Sequence, residues 1–157
     1  MIDNIKCVIN HRKVFKHKNP QQSMTTIEEH KKIINEFLDD INEKIKANLL
    51  VERQKIIGFS ASEASVNLFA AFLHKNNLIE PGFNVNHRHF GSLKMAEGMF
   101  NFNFPNKNQI LNLLVNQEAY RNKLCYGKEK IADVVNSAVK NLFELKELIE
   151  PEMEERR

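Results

Sequence analysis

Most of the chemistry open to this 157-residue chain lies in one run, Arg121-Asn122-Lys123-Leu124-Cys125-Tyr126-Gly127. An arginine can pair with a phosphate and a tyrosine ring can stack on a base. On chemistry alone, though, the better reading of these residues is an ordinary helix end. Arg121 would meet the dipole and the last carbonyls, Leu124 and Cys125 would pack, and Gly127 would cap. The six histidines build no di-iron site, because none has Glu or Asp three residues before it, and such sites need Glu-x-x-His pairs on one helix face. His87-Arg88-His89 could put two imidazoles on a metal, yet no carboxylate is near in sequence, and a surface or capping role at a helix start is the better reading. No phosphate-cradling G-x-x-x-x-G-K-[ST], dinucleotide G-x-G-x-x-G or hydrolase G-x-S-x-G occurs. Cys7 and Cys125 define neither a metal framework nor a disulfide scaffold. No metal and no cofactor is expected.

Several long helices must position that run. Five glycines and four prolines leave few turns, which argues against a sandwich or barrel. Hydrophobic residues at 42% and charged residues at 27% are a globular composition. Thr25-Thr26-Ile27-Glu28 reads as a capping box, followed by Ile27, Ile33, Ile34, Phe37, Leu38, Ile41 and Ile45 at helical spacing. A second helical stretch over about 49–75 buries Ile56, Ile57, Ala61, Ala64, Leu68, Ala71 and Phe72, and Gly58 or Ser60 interrupts it. A third helix starts near His89 and carries Leu93, Met95, Ala96 and Met99. The alternating Phe102 and Phe104 before Pro105 read as a packed loop. A fourth helix from about 107 carries Ile110, Leu111, Leu114, Val115 and Ala119 toward Arg121. The last, about 128–150, buries Ile131, Val134, Val135, Ala138, Leu142, Leu145 and Ile149 and ends at Pro151. The expectation is an all-α antiparallel bundle of four to five helices.

Charge divides the chain unevenly. The net charge is +3, but Lys6, Arg12, Lys13, Lys16 and Lys18 against Asp3 place +4 in the first 20 residues. The organisation is then a basic N-terminal segment over 1–23 with little regular structure beyond Ile5-Lys6-Cys7-Val8-Ile9, a bundle over 24–150, and a charged tail over 151–157. The segment could touch phosphate, although terminal charge runs are usually solvated. No apolar run approaches a membrane span and no signal peptide is evident, so a cytoplasmic protein without membrane contact is expected.

Arg121, Asn122, Leu124 and Gly127 match the R-N-x-L-x-H-G pattern at the C-terminal side of an α-bundle, which resembles the signature region of HEPN domains. The helix containing Ser60-Ala-Ser-Glu-Ala-Ser-Val-Asn-Leu-Phe-Ala-Ala, the polar loop with His87 and His89, the Arg-bearing helix and the final amphipathic helix follow the family's order over about residues 26–150. The resemblance implies a homodimer whose Arg and His cleave RNA at a shared cleft without metal. Tyr126 stands where the histidine would be. A phenol titrates near 10 and an imidazole near 6.5, so Tyr126 is a poor general base at neutral pH. Histidine-lacking branches of the family imply a non-catalytic module that binds nucleotide, RNA or a partner such as a nucleotidyltransferase through Arg121, Asn122 and Tyr126. The alternatives are a residual toxin-like ribonuclease using Arg121 with Tyr126, His87 or His89, and a purely structural oligomerisation bundle.

Overall fold

A computed structural model describes residues 25–154. Five α-helices and one 3-10 turn account for its regular structure: α1 (Ile27–Lys46), α2 (Gln54–Lys75), the 3-10 turn His87–Phe90, α3 (Leu93–Met99), α4 (Lys107–Cys125) and α5 (Ala132–Met153). The expected all-α bundle is what forms, and no strand occurs among the described residues. The basic segment 1–23 and the last three residues of the 151–157 tail lie outside the described residues.

α2 is the axis of the bundle and packs against α1, α4 and α5. Its sequence explains the position. Ser60, Ala61, Ser62, Ala64, Ser65, Ala70 and Ala71 are buried, and such small side chains let neighbouring backbones approach closely. α1 and α2 run antiparallel, since His30 meets Asn67 and His74 while Phe37 meets Phe59. α4 is antiparallel to α2, with Glu63 opposite Arg121 and Gly58 opposite Leu124. Asn141 of α5 donates to Leu113 O at 2.8 Å and to Gln117 Oε1 at 2.7 Å, so a polar layer sets the register between α4 and α5. α2 is long and apolar enough to cross a membrane, contrary to the expectation from apolar runs, but 78% of that stretch is buried inside the bundle.

Local chemistry shifts several expected boundaries. The capping box closes one residue later than expected: Thr26 Oγ1 accepts from Glu29 N at 3.1 Å and Glu29 Oε2 accepts from Thr26 N at 2.6 Å. α2 begins at Gln54 and runs unbroken through Gly58 and Ser60. The expected third helix divides into the 3-10 turn, capped by Asn86, and α3, capped by Ser92. α4 continues past Arg121 to Cys125. α5 starts four residues late because Gln54 claims the preceding loop: Gln54 Nε2 donates to Lys130 O at 3.1 Å and Gln54 Oε1 accepts from Lys130 N at 2.7 Å. At its other end α5 passes through Pro151 to Met153. A proline there removes one hydrogen bond near a helix end, where little remains to lose, and Met153 packs on the core. Ile131, Ile56, Ile45 and Ala119 are exposed, contrary to the helical stripes drawn through them. Ile131 now caps α5 from outside, and the other three lie at the edges of their stripes.

Between α2 and α4 the chain packs aromatic rings. Phe69 of α2 lies 5.0 Å from Phe100, 5.9 Å from Phe90 and 5.6 Å from Phe104 between ring centroids. Phe102 and Phe104 form the packed loop expected of them. Three asparagines, Asn48, Asn77 and Asn106, take the left-handed backbone conformation at helix boundaries. Asn tolerates that conformation better than most residues, which is how a chain with so few glycines still turns.

Two histidines tie this fold to pH. His74 stacks on His30 at 5.6 Å, and burial, then the neighbouring His30, holds its pKa below the usual histidine value. His89 stacks on Phe83, and burial, then His87, lowers its pKa as well. His89 Nδ1 also accepts from Asn86 N at 3.3 Å, a role that protonation at Nδ1 ends. Each depressed histidine binds fewer protons folded than unfolded, so stability rises with pH through this range. It is fully present above the unfolded value of about 6.5 and falls as pH drops below it toward the folded values. Thermal unfolding at pH 7.5 and pH 5 should show the lower midpoint at pH 5, and replacing both His74 and His89 by Gln should narrow that difference.

Candidate functional site

Arg121 sits just before the last turn of α4, on the side turned toward α2. Its Nη1 donates to Glu63 Oε1 at 3.4 Å, and its guanidinium carbon lies 5.1 Å from the centre of the Phe59 ring. The side chain is 12% exposed. A guanidinium has five N–H donors, and within the described residues this one uses a single, long hydrogen bond. Asn122, exposed one residue on, donates to Glu118 Oε1 at 3.4 Å.

Tyr126 does not join them. α4 stays helical through Cys125, so positions 121 and 126 leave the axis about 140° apart. Tyr126 then adopts an extended backbone beyond the helix end and is 64% exposed. Gly127 follows with φ +78°, a conformation glycine adopts without strain, and so turns the chain as expected. Arg121 and Asn122 thus share the end of α4 with Tyr126, but Arg121 is tied to α2 while Tyr126 stands free of it.

Leu124 faces the core, as expected. Cys125 is half-buried against α2, with Sγ 3.3 Å from Lys55 O. Burial pushes its thiol pKa up, against the opposing pull of Arg121 and Lys55. A thiol shifted in this direction is a weaker nucleophile than a free cysteine.

Sequence spacing could not supply the partners. His87 Nδ1 lies 3.1 Å from both oxygens of Glu118, a buried carboxylate on α4. The pair docks the 3-10 turn onto α4. His89 serves the Asn86 cap, the role expected of a histidine at a helix start. Glu63, the partner of Arg121, was readable in one respect: it is the sole acidic residue of α2, set among buried small residues.

A second feature opens at the same end of the bundle. A groove of about 470 Å³ opens between the α1–α2 turn and the α4–α5 loop, lined by the buried Leu124 and by Arg53, Lys55, Ile56 and Lys128, with Glu52 and Glu129 beside them. Gln54 joins its two walls through its paired hydrogen bonds to Lys130 and a third, at 2.9 Å, to Val51 O. Among the described residues no three metal-ligating side chains gather. No family model, curated protein or solved structure matches this chain.

Proposed function

We propose that the chain is a non-catalytic, HEPN-like helical module that binds a phosphate-bearing ligand, a nucleotide or RNA, at the α4 end carrying Arg121, Asn122 and Tyr126. One observation carries this reading. Arg121 is held in place by Glu63 and Phe59, yet four of its five N–H donors have no partner within the described residues. An oriented guanidinium with spare donors suits bidentate phosphate recognition. The half-exposed Phe59 beside it provides apolar surface for pairing with a second copy. Tyr126, standing where the resembled pattern has a histidine, is the reason to expect no RNA cleavage.

Arg121→Ala should lower the affinity for AMP or a short RNA, read by calorimetry, about tenfold or more, since hydrogen bonds to charged groups are worth about 1.5–3 kcal/mol. Stability should change by about 1–2 kcal/mol, the sum of one ion pair and one cation–π contact. The Glu63–Arg121 contact favours a second reading, in which Arg121 merely ties α4 to α2. There, Arg121→Ala and Glu63→Gln would lower stability alike and leave ligand affinity unchanged. A monomer mass by light scattering at high micromolar concentration would remove the dimer.

A further inference from the structure

We propose that the groove between the α1–α2 turn and the α4–α5 loop binds the backbone of a single-stranded nucleic acid, with Tyr126 as a stacking platform for a base. Three cations line it, Arg53, Lys55 and Lys128. All three are exposed, and none has a carboxylate within ion-pair distance among the described residues. Lys130 Nζ donates to Lys128 O at 3.0 Å, which brings a fourth ammonium to the loop. Glu52 and Glu129 beside them leave the wall net positive. The three cations outnumber the two carboxylates along the groove, and a polyanion threading between the walls relieves the remaining repulsion among them.

Size and rigidity point the same way. The groove's volume is within the ~300–1,000 Å³ of small-molecule sites, room for about a nucleotide or two of a strand and not for a duplex. Gln54 fixes the walls relative to each other, so little ordering cost falls on binding. Ile56, half-exposed along the groove, offers an apolar contact. Tyr126 stands in the chain between the groove residues Leu124 and Gly127, with its ring in solvent. Cationic walls beside an exposed aromatic are the elements by which proteins hold unpaired strands without sequence preference.

This inference extends the phosphate-binding reading of the α4 end, and the test separates the two. Fluorescence anisotropy with labelled ten-nucleotide oligo-U RNA and oligo-dT DNA would compare the full chain with the triple variant Arg53→Ala/Lys55→Ala/Lys128→Ala. The wild type should bind both probes, with equal affinity if backbone and stacking dominate and with an RNA preference if the 2′-hydroxyl is also read. The triple variant should bind at least tenfold more weakly, and its slope of log affinity against log salt should shrink by about 2. Tyr126→Ala should weaken binding about fivefold or more, and Tyr126→Phe should restore it. AMP affinity should fall far more with Arg121→Ala than in the triple variant, so either reading can fail alone. Should the triple variant misfold by circular dichroism, the exposed loop change Lys128→Glu carries the same test. Wild-type anisotropy that stays flat with both probes at 50 mM salt, or an unchanged affinity and salt slope in the variants, overturns the proposal.

Discussion

Phe69→Ala will destabilise the fold by about 3–5 kcal/mol, the cost of emptying a fully buried aromatic site. Phe69 is 0% exposed and contacts Phe72, Phe90, Phe100 and Phe104. Those rings come from α2, the 3-10 turn and the loop before α4, so the void left by Phe69 opens at a junction of three segments. Phe90 and Phe100 stack on each other at 5.6 Å, and their own edge contacts restrain them from collapsing into the space. Total stability of a domain this size is about 5–15 kcal/mol, so the loss is a large part of it. Urea unfolding should show a much lower midpoint with little change in slope. A loss below about 1 kcal/mol would mean that the aromatic cluster is loosely packed.

A second replacement should run against helix propensity. Alanine is normally the better helix former by about 1 kcal/mol, yet Gly58→Ala should destabilise. An added Cβ at Gly58 would sit 2.7 Å from Leu124 Cβ and 3.3 Å from Cys125 Sγ. Leu124 Cβ is attached to the backbone of α4 and cannot rotate away, so α2 and α4 must separate. Overpacking of this kind costs about 1–3 kcal/mol, which outweighs the propensity gain. Gly98 is the internal control. It lies in α3, and a Cβ added there would meet nothing within 4 Å, so Gly98→Ala should be neutral or stabilising by up to about 1 kcal/mol. Thermal midpoints of the two variants should move in opposite directions. Because Leu124 also lines the groove, Gly58→Ala should weaken oligonucleotide binding as well.

The two replacements show where the sequence was sufficient and where it was not. Helical spacing of apolar residues and the scarcity of glycine and proline were enough for an all-α bundle, because burying one face of a helix demands that spacing wherever the helix packs. Thr26 and Gly127 acted near the boundaries expected of them, because caps and left-handed turns are local chemistry. Gly58 could not be read in this way. A glycine that bends a helix and a glycine that admits a neighbouring helix look identical until the neighbour is known. The same limit governed the site. Arg121 and Asn122 are conspicuous in the chain, but Glu63 lies 58 residues before Arg121 and His87 lies 31 before Glu118, and no local pattern links such pairs. Spacing sets positions 121 and 126 about 140° apart on an ideal helix, but it could not show that α4 keeps that geometry through Cys125, or that Arg53, Lys55 and Lys128 meet across one groove. Residue types and short-range periodicity determined which helices form and which side chains have chemistry to offer. Tertiary packing alone decided which of those side chains meet, because the contacts that spend or spare a charge come from segments far apart along the chain.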